Sequence, residues 1–233
     1  MTSPVERIIL ALDRPDRASA FELVDRMPDL VWVKVGLELF TAEGPAVVRE
    51  LKRRGKRVFL DLKLHDIPNT VAGAVRSATA LGADLLTLHA EGGPAMMRAA
   101  VEARGETGPR LLAVTVLTSL SGEEYPEIYR TTDVAERVRV FAREAESAGV
   151  HGVVCSPREL QVVGETVGSG FLRVTPGIRP IGGGLQDQAR VATPGAALEA
   201  GATHLVIGRA VTAAEDPAAA LAAIAAEMTA ATA

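Results

Sequence analysis

Asp61 and Lys63 stand two residues apart in the apolar run Val58-Phe59-Leu60-Asp61-Leu62-Lys63-Leu64, and that spacing places both charges on one face of a strand. Leu60, Leu62 and Leu64 take the other face and can pack beneath helices. A second cation, Lys34, interrupts an earlier apolar run, Val31 to Gly36, and would alternate with Asp61. Charges inside strands are costly to bury unless they are paired. A purely structural ion-pair network is the alternative, but pairs of this kind at a cleft are more often functional. The run continues as His65-Asp66-Ile67-Pro68-Asn69-Thr70, with Pro68 opening a helix and Asp66 or Asn69 available as an ordinary N-cap.

A second set of residues points to an anion. Thr175-Pro176-Gly177-Ile178-Arg179-Pro180 leads into Gly182-Gly183-Gly184 and Gln186-Asp187-Gln188, a glycine-rich stretch suited to a lid or anion cradle. Further on, Ile207-Gly208-Arg209 ends another apolar run; the glycine permits close backbone approach and the arginine offers a fork of donors. Read alone, this pair of motifs says only that the ligand is phosphorylated.

The elements that must position these residues follow from the repeat of short β-branched runs. Strands are predicted at Arg7–Asp13, Val31–Gly36, Val58–Lys63, Leu85–Ala90, Leu111–Leu117, Gly152–Ser156, Phe171–Gly177 and His204–Arg209. Between them run helical spacings such as Val71-Ala74-Val75-Ala78 and Val134-Val138-Phe141-Ala145, several closed by Gly55, Gly82, Gly149 or Gly201. A last helix is predicted after Asp216, with Asp216 as N-cap and Pro217 as its first residue. Eight strands alternating with helices in 233 residues fit a single (β/α)8 TIM barrel, one catalytic domain spanning residues 1–233. A doubly wound open sheet fits less well, because the first strand runs into Asp13-Arg14-Pro15-Asp16 without a glycine. In a barrel the site lies at the C-terminal strand ends, where Asp13, Lys34, Asp61, Lys63, His89, Thr118, Arg179 and Arg209 collect.

Composition sets outer bounds. A formal charge of −4 disfavours nonspecific nucleic-acid binding, so an anionic ligand must be held by local cations. One cysteine, Cys155, leaves no intrachain disulfide and no cysteine-based zinc site, which suits a reducing compartment. The five-residue apolar stretch Ile8 to Leu12 is too short for a signal-peptide core. No run reaches the roughly 18 apolar residues of a membrane span, so a cytoplasmic protein is expected.

The ten residues Asp61-Leu62-Lys63-Leu64-His65-Asp66-Ile67-Pro68-Asn69-Thr70 resemble the signature of the orotidine 5'-phosphate decarboxylases. Ala11-Leu12-Asp13, Lys34-Val35-Gly36, Leu117-Thr118-Ser119, Thr175-Pro176-Gly177-Ile178-Arg179 and Gly208-Arg209 extend the resemblance along the chain. It implies conversion of orotidine 5'-phosphate to UMP and carbon dioxide in pyrimidine biosynthesis, with no metal and no organic cofactor. It also implies a homodimer in which Asp66 and Thr70 complete the partner's site. By motif, Lys63 is the proton donor, arrayed with Lys34, Asp61 and the partner subunit's Asp66. Asp13 and Lys34 would contact the ribose, and Thr118 or Ser119 the pyrimidine. Arg179, Gln188 (with Gln186 as the alternative), Gly208 and Arg209 would hold the phosphate. Asn69 and Pro176 fall within the matched motifs and are carried as substrate-binding positions.

Three rivals are weighed against this. A magnesium-dependent sugar-phosphate decarboxylase or synthase of the same superfamily would need a carboxylate on strand two, where Lys34 stands and Glu38 lies past the end. A noncatalytic phosphate-binding barrel would have no use for the Lys34, Asp61, Lys63 and Asp66 set. A phosphosugar isomerase would need a base, for which His89 is the only candidate.

Overall fold

A computed structural model of the chain describes residues 3–120, 124–129, 132–180 and 191–232. Eight parallel strands close into a barrel in chain order. They are β1 (Ile8–Ala11), β2 (Trp32–Val35), β3 (Arg57–Leu64), β4 (Leu85–His89), β5 (Arg110–Val114), β6 (Gly152–Val154), β7 (Leu172–Thr175) and β8 (His204–Ile207). β8 pairs with β1, Ile8 opposite Leu205. Every predicted strand is present, but most end one to three residues earlier than the apolar runs do. Backbone pairing stops where the chain turns outward at the mouth, so Val116 and Leu117 line the cavity from beyond β5.

Two apolar layers follow from strand alternation. Outward residues such as Ile8, Leu10, Val33, Val58, Leu60, Leu86 and Leu205 pack under the helices in the larger cluster. Inward residues Ile9, Trp32, Phe59, Leu85, Leu112, Leu172 and Val174 fill the barrel itself. Gly152 also faces inward, and a Cβ there would stand 2.4 Å from that of Leu172, so only glycine lets β6 sit this close to β7. At the N-terminal end His204 meets Trp32 edge-on, with ring centroids 5.8 Å apart. Burial, then the guanidiniums of Arg7, Arg110 and Arg57, push the His204 imidazole down to about 4, so it plugs the barrel floor as a neutral ring.

The helices keep their predicted faces. Pro68–Ala80 buries Val71, Val75 and Ala78, and Val134–Ser147 buries Val138, Phe141 and Ala145. Gly82 follows the first of these helices with φ of 77°, and Ala83 N–H returns to Ala78 C=O, a left-handed closure that favours glycine. Asp216 caps the final helix, Pro217–Thr232, accepting from the N–H groups of Ala218 and Ala219. The N-cap of Pro68–Ala80 is Ile67, with no side-chain cap, so neither Asp66 nor Asn69 fills that role. Asp66 instead accepts from the adjacent Ile67 N–H at 2.7 Å.

Candidate active site

β3 supplies the central charges, though not by simple alternation. Its pairing with β4 slips between Leu60 and Leu64, opposite Leu86 and Leu88, so four residues advance beside two. Lys63 lies in this bulge at φ 49°, the one left-handed non-glycine among the described residues. Bulges re-aim side chains next to sites. Here the bulge brings the Lys63 Nζ to 2.8 Å from Asp61 Oδ2 while Leu62 and Leu64 still pack against the outer cluster.

β2 contributes Lys34, whose Nζ stands 3.5 Å from Asp61 Oδ2 and 3.2 Å from Asp13 Oδ1. The four charges therefore alternate in sign: Asp13, Lys34, Asp61, Lys63. Asp61 has only 11% of its side chain exposed. Burial alone would raise its pKa, but the charges of Lys34 and Lys63 and the hydrogen bonds from Lys63 and Thr87 outweigh it, holding the carboxyl below the usual range. Gly36 keeps room for this array, since a Cβ there would lie 2.8 Å from the Lys34 Nζ.

A cavity of about 490 Å³ opens at the C-terminal strand ends. Asp13, Lys34, Asp61 and Lys63 form one wall; Pro176, Gly177, Arg179, Gly208, Arg209 and Thr212 form another. Between them Phe59, Val114, Val116, Leu117, Val154 and Val206 make an apolar lining, with Thr118 as its polar member. Among the described residues four cations and two carboxylates line it, an excess of two positive charges in a chain whose net charge is −4. Arg179 and Arg209 both line the β7–β8 side, and burial, then the neighbouring charge of Arg209, lowers the Arg179 pKa. A Cβ added at Gly208 would make only ordinary contacts, 3.7 Å from Ala11. Its smallness leaves space toward the cavity.

Among the expected site residues, Asp13, Lys34, Asp61, Lys63, Thr118, Pro176, Arg179, Gly208 and Arg209 come together around this cavity. Ser119 is exposed and is not part of the lining, which favours Thr118 of the two. Asp66, Asn69 and Thr70 are exposed on the loop and first helical turn beyond β3, and no cation of the described chain lies within 4 Å of the Asp66 carboxylate. Gln188 and Gln186 lie outside the described residues. His89 sits outside the cavity, half-buried beside His65 at 5.3 Å between ring centroids. Burial, then His65 and Lys63, lower its pKa. Glu38 is exposed, and no cluster of three or more His, Cys, Asp or Glu suited to a metal occurs among the described residues.

Sequence reasoning passed over Thr87. It is fully buried on β4, its hydroxyl 2.9 Å from Asp61 Oδ1, and it accepts the Lys63 N–H at 2.9 Å. The available signal was a hydroxyl residue two places from inward-facing Leu85, on the strand next to Asp61.

Fold and site together define a (β/α)8 barrel with a cationic mouth and a buried ammonium–carboxylate array. The family model described as orotidine 5'-phosphate decarboxylase / HUMPS family matches residues 6–224. Orotidine 5'-phosphate decarboxylase of Alkalilimnicola ehrlichii is 56% identical over 227 residues, covering 96% of this chain and 97% of that protein. The enzyme of the same name from Moorella thermoacetica is 53% identical over 232 residues, covering 96% and 92%. The crystal structure of orotidine 5'-phosphate decarboxylase from Lactobacillus acidophilus superposes with a TM-score of 0.84 at 39% identity, covering 95% of this chain and 98% of that one. The chain belongs to the orotidine 5'-phosphate decarboxylase family.

Proposed function

We propose that the protein converts orotidine 5'-phosphate to UMP and carbon dioxide, with Lys63 as the group that stabilises and then protonates the reacting carbon. The observation that carries this reading is the Lys63 ammonium fixed 2.8 Å from buried Asp61 in a cavity with excess positive charge. In the reaction the bond from the pyrimidine ring to its carboxylate breaks and the electron pair stays on the ring carbon. A preorganised ammonium stabilises that developing charge. It then gives up one proton to the carbon, and the neutral amine regains one from solvent.

The remaining residues divide by chemistry. Asp13 and Lys34 present a carboxylate and an ammonium suited to ribose hydroxyls. The apolar lining with Thr118 suits the flat pyrimidine, and Pro176 borders it. Arg179, Gly208 and Arg209 form the phosphate side, and the resemblance assigns Gln188, or Gln186 in its place, to the same phosphate. Phosphate held far from the reacting carbon supplies binding energy that can be used to organise the site. No residue set for a metal is needed in this scheme; Lys34 occupies the strand-two position where the magnesium-using relatives carry a carboxylate.

The chain is proposed to act as one catalytic domain in a homodimer, Asp66 and Thr70 reaching the partner's mouth with Asn69 beside them. Support comes from the exposed Asp66 carboxylate having no cation of the described residues within 4 Å. A cytoplasmic location agrees with a single, buried, free thiol.

The test is turnover of orotidine 5'-phosphate, followed by absorbance, with EDTA-treated protein. Full activity is expected. Lys63→Ala should lower kcat at least about a thousandfold while UMP still binds. Activity that needs added magnesium, or a Lys63→Ala variant keeping more than about a tenth of wild-type turnover, which is only about 1.4 kcal/mol in the barrier, overturns the reading.

A further inference from the structure

Thr87 occupies a position that packing alone would fill with valine. It is fully buried on β4, between the outward residues Leu86 and Leu88, and it does not line the cavity. Its single hydroxyl nevertheless serves two groups of the array. A backbone N–H can only donate, so the Thr87 oxygen accepts from Lys63 N–H at 2.9 Å. The one hydroxyl hydrogen is then committed to Asp61 Oδ1, also at 2.9 Å. Asp61 Oδ2 is left for the ammoniums of Lys63 at 2.8 Å and Lys34 at 3.5 Å. Each carboxylate oxygen thus has its own partners, and the plane of the carboxylate is fixed.

The second bond acts on the backbone. The bulge leaves Lys63 in the left-handed region, φ 49°, which side-chain-bearing residues adopt only when surroundings hold them there. It also breaks the regular β3–β4 pairing at that point, and the Thr87 oxygen takes the N–H. A flat strand would carry Lys63 in a different direction from the same Cα.

We propose that Thr87 is a positioning residue for the decarboxylation: its hydroxyl simultaneously orients the Asp61 carboxylate and holds the bulged backbone that aims Lys63. The inference rests on the catalytic roles given above to Asp61 and Lys63. It differs from a merely structural role, in which Thr87 fills space and satisfies one buried N–H.

Steady-state turnover of orotidine 5'-phosphate by Thr87→Val, Thr87→Ala and Thr87→Ser, beside Lys63→Ala, separates the possibilities. Serine and alanine both lack the methyl group, so comparing them isolates the hydroxyl at nearly equal packing. Valine and alanine are expected to lose about 10- to 100-fold in kcat, the scale of a hydrogen bond to a charged group, with KM changed less than about 3-fold. Serine should stay within about 3-fold of wild type in both constants. Equal losses in serine and alanine, a loss confined to KM, or wild-type kcat in valine and alanine overturns the proposal. If valine and alanine cannot be folded while serine is normal, the hydroxyl is a requirement of the fold and the positioning role is again refuted. An inactive Lys63→Ala beside a fully active Thr87→Val removes Thr87 alone. An active Lys63→Ala removes the underlying reading instead.

Discussion

Asp61→Asn removes the central anion of the array while keeping its shape and an amide oxygen for Thr87. Lys63 and Lys34 lie 2.8 and 3.5 Å from the carboxylate. At an effective dielectric of about 20, each attraction is on the order of 5 kcal/mol, set against several kcal/mol for taking the carboxylate out of water. Breaking a buried pair typically costs about 3–5 kcal/mol, because the surviving charge is left uncompensated. Here two like charges survive. Lys63 is 32% exposed and can turn toward water, and Lys34, only 12% exposed, keeps the Asp13 carboxylate 3.2 Å away, so the lower end, about 3 kcal/mol, is expected. Active-site charges often destabilise a fold, and neutralising them then helps. That tendency should lose in this case, since Asp61 is the group that neutralises its neighbours.

The pH dependence follows from the direction of the Asp61 shift. Its folded pKa is depressed, so its stabilisation is fully present above the unfolded value of about 3.9 and is lost as pH falls through the folded one. Urea unfolding of both proteins at one fixed concentration, from pH 7 down to pH 3, should show a gap of about 3 kcal/mol at neutral pH that narrows below about pH 4. A gap under about 0.5 kcal/mol at pH 7, a gap indifferent to pH, or a more stable variant would refute the reasoning.

Three further outcomes are expected. Arg209→Ala should weaken UMP binding by about 1.5–3 kcal/mol, read by calorimetry, and leave uridine binding nearly unchanged; equal losses would make Arg209 a support of the fold. Gly36→Ala, whose Cβ would fall 2.8 Å from the Lys34 Nζ, should lower kcat about tenfold with little change in Tm; unchanged kcat would show that Lys34 relocates freely. Lys63→Ala and Asp66→Ala, each nearly inactive, should regain roughly a quarter of wild-type activity when unfolded and refolded together, since about half the dimers are mixed and each has one intact site. No recovery, with mixed dimers verified by mass, would place Asp66 in its own chain's site.

The barrel was legible because each strand is a short apolar run between helical spacings, and a parallel barrel buries both faces of every strand. Lys34, Asp61 and Lys63 stood out because charge within such runs is costly. The bulge in β3 was not legible: period-two reasoning put Asp61 and Lys63 on one face of a flat strand, whereas the pairing slips and Lys63 turns left-handed. Nothing in Leu60 to Leu64 marks that slip, because the partner that supports it, Thr87, comes from another strand. Gly36 was likewise visible within a motif, but its purpose depends on where the Lys34 ammonium ends up in space. Ser119 and Thr118 could not be separated by type; only the path of the chain beyond β5 does so.

The seam of the barrel joins the two ends of the chain. Ile8 pairs with Leu205, Arg7 donates to the carbonyls of Ala202 and Thr203, and Arg14 donates to the carbonyl of Thr212, partners as many as 198 residues apart. During synthesis, therefore, β1 leaves the ribosome long before its second neighbour exists. Until β8 arrives the ring is an open sheet with an unpaired edge on each side, the form most exposed to wrong pairing. Contacts this distant in sequence are the slowest to find. Loss of even the last strand would leave the Asp13 side of the mouth without the Gly208–Arg209 side, so a nascent chain gains its binding cavity only when the final β-strand closes the ring.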